Sequence, residues 1–422
     1  MLPANQTAGG GRQESYWRTI LTSLQYPDFR LVWISSVTEH FGEMMQLVTV
    51  LWLVNEMTHS PLMITLVGSS QGVAMIFFPI LGGVVADRVN RRNLLIAALA
   101  AAALLSISLA LLVVTDSLAI WHLIVIAVLG GVATSFNHPA RQTIVPNLVR
   151  KEHLLNAISL DTFSVMAMRI VAMPLAGYLV VSLGLWPIFI IRAVGAIISI
   201  LLLRFVKTPL TPPTIREQTI RQNLAAGFHY LRSNMIVLVM LLLYALPMLT
   251  SSTVVNFLPV VATDILNLSA IGYGYLLGAS GLGSLLSLIA LAMLTYYKYK
   301  RKLLIGAGII SGMVLLGFSA SQRFFLSLPL LVVIGGMNSA FAAIITALVQ
   351  GFIPNEMRGR IMSWRDIAMG IGPFGAIGLG AIAEKRGVPF SLTLLGGMVL
   401  LISFLLVLFL PKLRSIEENI AA

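Results

Sequence analysis

Gly83-Val84-Val85-Ala86-Asp87-Arg88-Val89-Asn90-Arg91-Arg92 breaks an otherwise apolar stretch of chain. No charged residue occurs from Pro61 to Ala86, and after the break Leu94-Leu95-Ile96 leads into a run of Ala and Leu. Charged side chains at the centre of a bilayer cost about 3 kcal/mol each. One carboxylate and three guanidiniums so close together therefore fit a polar turn joining two membrane spans.

The composition agrees. Of 422 residues, 58% are hydrophobic and only 10% are charged, against about 25% charged in soluble domains. A soluble globular protein is excluded. There is no cysteine, so disulfides and thiolate metal sites are excluded as well. The polar first 30 residues lack the apolar core and small-residue cleavage site of a secretory signal and read as a cytoplasmic tail.

A bilayer core takes about 20 apolar residues per helix. Runs of that kind occur near 31–54, 61–86, 93–115, 118–137, 154–182, 184–206, 235–262, 269–296, 302–320, 324–349, 362–383 and 388–410. They are continuous rather than alternating, which excludes a β-barrel. The expected fold is an all-α membrane protein with twelve transmembrane helices in two six-helix pseudo-repeats. Its segments are a tail (1–30), an N-terminal bundle (31–206), a linker with an amphipathic helix (207–234), a C-terminal bundle (235–410) and a second tail (411–422).

The net charge of +12 sets orientation. Arg169 and Arg192 fall within spans, and Arg323, Lys385 and Arg386 fall in loops on one side. All other basic residues, Arg141 among them, sit in the tails, in the loops of the opposite side or at adjoining helix ends. By the positive-inside rule that side, with both termini, is cytoplasmic. Nucleic-acid binding would need the basic residues on one folded patch, so no nucleic-acid partner is expected.

The halves also repeat. Gln142-Thr143-Ile144-Val145-Pro146-Asn147-Leu148-Val149-Arg150 matches Gln350-Gly351-Phe352-Ile353-Pro354-Asn355-Glu356-Met357-Arg358 at Gln, Pro, Asn and Arg. Arg91-Arg92 with Leu94-Leu95-Ile96 matches Lys300-Arg301 with Leu303-Leu304-Ile305. Parallel six-helix repeats flanking a central site are a transporter architecture. Tyr296 and Tyr297 stand near where the second copy would carry the acid, so Asp87 has no counterpart.

The G-x-x-x-D-R-x-x-R-R loop resembles the signature between helices 2 and 3 of the major facilitator superfamily. Further segments resemble its branch of enterobactin exporters and macrolide efflux proteins. These are Tyr26-Pro27-Asp28-Phe29-Arg30-Leu31, Ser60-Pro61-Leu62, Pro139-Ala140-Arg141-Gln142-Thr143-Ile144-Val145-Pro146 and Pro354-Asn355-Glu356-Met357-Arg358-Gly359-Arg360. Asn90 replaces the usual Gly. The fourth span, read as 118–137, lacks the Arg that proton-coupled drug antiporters of the superfamily usually carry. The fifth keeps only Pro174-x-x-Gly177 of the usual Gly-Pro motif.

The resemblance implies a cytoplasmic latch between the second and eleventh spans, built from Gly83, Asp87, Arg88, Arg91, Arg92, Glu356, Arg358 and Arg360. Asp87 would face the positive end of the eleventh helix. Glu39 and Glu43, four apart, share a face of the first span and should line a cavity. Arg169 and Arg192 are their candidate buried partners. Asn256 and Asn338 are mid-span polar groups that complete the candidate cavity set. Asp161, Arg365 and Asp366 lie near inner helix ends and read as a cytoplasmic gate.

These features lead to a secondary transporter working by alternating access. The expected process is proton-coupled efflux of an amphipathic small molecule, such as a drug, macrolide or siderophore-like product. Alternatives are a lipid flippase or lysophospholipid uptake system, and a non-transporting sensor or scaffold. No Walker A motif and no nucleophile–base or metal constellation occurs in the sequence, so neither an enzyme nor a cofactor or metal is expected. The expected partners are a small-molecule substrate, protons and membrane lipids; the expected state is a monomer in the bacterial inner membrane.

Overall fold

The computed structural model describes residues 22–88, 90–208, 220–294 and 300–409. Twelve long helices account for most of them. The first six are α1 (Pro27–Thr58), α2 (Pro61–Arg88), α3 (Arg91–Val114), α4 (Ile120–Leu148), α5 (Leu154–Leu183) and α6 (Trp186–Arg204). After a short connecting helix (Ile220–Ser233) come α7 (Met235–Val260), α8 (Ala270–Met293), α9 (Lys300–Ser319), α10 (Phe324–Phe352), α11 (Asn355–Arg386) and α12 (Val388–Phe409). No strand occurs among the described residues. Among the described residues, ten helices are long and apolar enough to cross a membrane. Glu39, His40, Glu43 and Gln46 make the middle of α1 more polar than the rest.

Local sequence sets the helix ends. Pro27 opens α1, and Asp28 sits in its first turn, where a fixed φ and a negative charge both favour a helix N-terminus. His59 closes α1 in the left-handed conformation (φ 48°), its N–H bonded to Asn55 O. Asn90 caps α3 by accepting from Arg92 N. Leu104, Leu111, Phe205, Met293 and Phe325 are exposed, as side chains facing lipid should be.

Several helices run beyond the expected spans, and in α4 the extension changes the chemistry. The expected fourth span ended at 137, whereas α4 continues to Leu148. Arg141, expected in a loop or at the helix end beside it, is therefore a buried residue of α4. Hydropathy fails there because the charge is matched by a partner inside the protein, not by water.

The two halves pack alike. In the first, α2 lies along α4 and α3 along α6; in the second, α8 lies along α10 and α9 along α12. The seam between halves has the same twofold character, with α5 against α8 and α2 against α11. Close approach there depends on glycine. A Cβ on Gly177 would collide with the Ala270 carbonyl, and one on Gly72 with the Pro373 ring. Such small residues let membrane helices pack backbone to backbone.

One end of the molecule gathers Ser23, Asp28, Asn156 and Thr208; we call it the terminal end. There Ser23 Oγ donates to Asn156 Oδ1 (2.6 Å) and Thr208 Oγ1 donates to Asp28 Oδ2 (2.6 Å). The opposite, far end is bridged between halves. Asn55 Nδ2 donates to Thr263 Oγ1 (3.2 Å), and Ser60 Oγ donates to Glu384 Oε2 (2.7 Å). Trp52 and Tyr273 stack across the same seam at 5.6 Å. The halves are thus shut against each other at the far end.

Candidate functional site

A cavity of about 140 Å³ lies inside the first six-helix unit. Its lining residues come from α1, α2, α3, α4 and α6, all of them helices of the first half. Apolar side chains such as Leu47, Val67 and Leu105 form much of the lining, while Gln46, Gln71, Ser106 and Thr134 supply uncharged polar groups. Ser106 Oγ donates to Gln46 Oε1 (2.9 Å) and Gln71 Nε2 to Thr134 Oγ1 (3.4 Å). Glu39 and Glu43 both line this cavity, as their shared helical face requires. Both also line a smaller one, about 20 Å³, with His40, Asn137 and Arg141.

Glu39 is buried and fully engaged. Its Oε2 is ion-paired with Arg141 Nη2, and its Oε1 accepts from Asn137 Nδ2 (2.7 Å). Arg141 also reaches Asn137 Oδ1 through Nε (3.4 Å) and the Val32 carbonyl through Nη1 (3.4 Å). Arg192, expected to pair with an acid, instead donates from Nη1 to the backbone carbonyl of Glu39 (2.7 Å). It packs so tightly that a Cβ on Gly42 would press on the Arg192 side chain at 2.9 Å. Arg141 of α4 thus supplies the countercharge that a buried carboxylate demands, while Arg192 of α6 holds the Glu39 backbone.

Arg169 lies near the middle of α5, and the charge of Glu43 acts on its guanidinium. Its Nε is buried without a hydrogen-bond partner. Its Cβ packs at 3.0 Å from where a Cβ of Gly281 would stand, so Arg169 sits on the α5–α8 seam between the halves.

The other candidates are dispersed. Asn256 is buried and donates to Ser69 Oγ across the halves (3.4 Å). Asn338 accepts from Ser311 Oγ within the second half (3.2 Å). Asp161 accepts from Ser36 Oγ (2.9 Å), tying α5 to α1, and the Arg365 guanidinium lies 5.8 Å from the Tyr244 ring centre. Arg91 is buried, with Nη1 on Thr143 O (3.3 Å). Arg92 Nη2 donates to the carbonyls of Val206 and Thr208, where a cation suits the C-terminal end of α6. Arg358 is exposed and Arg360 Nη1 contacts Met357 Sδ (3.6 Å). The side chains of Gly83, Asp87, Arg88, Glu356 and Asp366 lie outside the described residues, as do Lys298 and both tails beyond 22 and 409.

Asn137 and Arg141 escaped the sequence reading. Their signal is the four-residue spacing that sets both on one face of α4, hidden because the apolar run stops at 137.

At the terminal end Asp28 shows a perturbed acidity. Burial pushes its carboxyl up, but the Thr208 hydroxyl and the backbone N–H groups of Thr208 and Lys207 outweigh it and hold the group below the usual carboxylate range.

Twelve helices in two matching halves, with buried charge inside one of them, define a multi-pass secondary-transporter fold. Residues 18–422 match the model of the transmembrane secretion effector family, and the chain belongs to that family of the major facilitator superfamily. Among curated proteins it is 25% identical over 405 residues to the enterobactin exporter EntS of Shigella boydii serotype 18, covering 96% of this chain and 97% of that protein. It is 24% identical to the same exporter of Escherichia coli O139:H28, with the same coverage. Among solved structures, nucleoside transporter NupG superposes with a TM-score of 0.67 at 17% identity, covering 90% of this chain and 98% of that one. A POT family transporter superposes with a TM-score of 0.70 at 14% identity, covering 92% and 96%. Such distant structural likeness speaks for the fold alone.

Proposed function

We propose that this chain is a proton-coupled exporter of an amphipathic small molecule, working by alternating access in a bacterial inner membrane. Both termini are cytoplasmic in this reading, and the monomer is the working unit. Family membership and the exporter relatives support efflux. The positive-inside distribution of Lys and Arg supports the orientation. The observation that carries the coupling is the buried Glu39–Arg141–Asn137 cluster with Glu43 beside it on the cavity wall.

The two acids have different roles. Glu39 is a fixed charge, held by Arg141 on its carboxylate and Arg192 on its backbone. Glu43 is the proton carrier, since it faces both cavities and acts on Arg169. Protonating Glu43 cancels its pull on the Arg169 guanidinium. Arg169 packs on the α5–α8 seam, so its readjustment is felt where the halves meet. Transported protons are thereby linked to the rocking of one half against the other.

The test is efflux from proteoliposomes, with and without a protonophore. Glu43→Gln should abolish gradient-driven efflux while leaving downhill exchange of substrate. If Glu43→Gln pumps at the wild-type rate and remains protonophore-sensitive, Glu43 is not the carrier.

A further inference from the structure

We infer that Glu384 is the far-end latch of the transport cycle: its carboxylate closes the protein by seating on the N-terminus of α2. Glu384 belongs to the last turns of α11, in the second half, and α2 opens the hairpin of the first half at Ser60-Pro61-Leu62. Glu384 Oε2 accepts from Ser60 Oγ (2.7 Å) and from the backbone N–H of Leu62 (3.2 Å). Ser60 Oγ also accepts from Met63 N (3.2 Å), capping α2 from its own chain. One carboxylate of the second half thus takes up an otherwise orphaned N–H of the first half, at the positive end of the α2 dipole.

Three features make this a latch and not a static cap. The bond spans the two halves, 322 residues apart in sequence. Glu384 is exposed, so water can replace the protein partners when the halves part and the bond breaks at little cost. It also sits on the same helix pair, α2 and α11, for which the family resemblance implies an Asp87 latch at the opposite end. In that reading an Asp87 carboxylate would serve the start of α11 as the Glu384 carboxylate serves the start of α2, and the pair would carry reciprocal carboxylate–helix latches. The two cannot both be closed if the halves rock about a point between them. Neighbouring links, Asn55 to Thr263 and Trp52 to Tyr273, close the same end but carry no charge on a helix terminus.

The inference rests on the alternating-access reading and separates from it in one experiment. The chain has no cysteine, so spin labels can be placed at Ser117→Cys and Gln322→Cys, in far-end loops of the two halves. Pulsed dipolar spectroscopy on this pair in lipid nanodiscs reads closed and open populations. In the otherwise native chain, two distances should appear. Adding Glu384→Gln should raise the open-to-closed ratio about threefold, the scale of a charge at an exposed helix terminus, and Ser60→Ala should shift it the same way. Glu384→Asp, which keeps the charge but shortens its reach, should give an intermediate shift. If two distances appear but Glu384→Gln and Ser60→Ala leave their ratio unchanged, the latch is wrong and alternating access stands. If a single distance persists under every condition, both readings fall.

Discussion

The sharpest energetic consequence concerns Arg141. Its side chain is 8% exposed and that of Glu39 10%, so neither can turn to water. Replacing Arg141 with Met keeps the length of the side chain but removes its charge. Glu39 would then retain only the Asn137 amide, because Arg192 is already committed to the backbone carbonyl. Breaking a buried pair from one side costs about 3 kcal/mol or more. For a cooperative unit of a few hundred residues that corresponds to a fall in unfolding midpoint of roughly 5 °C. Glu39→Gln should cost a similar amount by stranding Arg141. The double variant Glu39→Gln/Arg141→Met leaves no buried charge unpaired and should return to within about 1 kcal/mol of the native protein. Intrinsic tryptophan fluorescence during heating in detergent would follow all four proteins. Additive losses in the double variant would refute the reasoning, because they would mean the two side chains do not stabilise one another.

Three further outcomes follow from single residues. Asp87→Asn should abolish transport while folding and membrane insertion persist, read by efflux assay beside size-exclusion profiles; a wild-type rate would remove Asp87 from the latch. Gly283→Val should cut the yield of folded protein sharply, because any Cβ there meets the Val332 carbonyl of α10, whereas Gly130→Ala, with open space around it, should be neutral. Asp28 has its folded acidity shifted down, so its contribution is complete above the unfolded value of about 4. That contribution is lost as pH falls through the lower folded value. Asp28→Asn should therefore flatten the loss of stability between pH 5 and about 3, measured as melting midpoint against pH.

Much of the fold was legible because spanning a bilayer is a local requirement. Each run such as 93–115 or 388–410 declares itself by hydropathy summed over about 20 residues. The matched loops around Pro146 and Pro354 exposed the duplication, which the packing repeats in the pairs α2–α4 and α8–α10 and in the pairs α3–α6 and α9–α12. The face shared by Glu39 and Glu43 was legible too, since four residues make about one helical turn. The burial of Arg141 was missed for the same reason the spans were found: a charge lowers local hydropathy whether or not a partner waits for it. The cavity beside Glu39 and Glu43 is lined from five helices of the first half, a grouping that no single span shows. Glu384, an exposed acid beside Lys385 and Arg386, offers no local signal at all.

The sequence by itself determined a membrane protein of twelve spans in two related halves, with acids on the first helix and a charged hinge after the second. Hydropathy, helical period and internal similarity are all readable along a single strand of chain. Only the tertiary structure decided which charges meet. Glu39 and Arg141 are 102 residues apart, Glu39 and Arg192 are 153, and Ser60 and Glu384 are 324. Such pairings depend on how the helices turn and cross, and a helix can present the same residue to lipid, to a cavity or to a partner without any change in its own sequence.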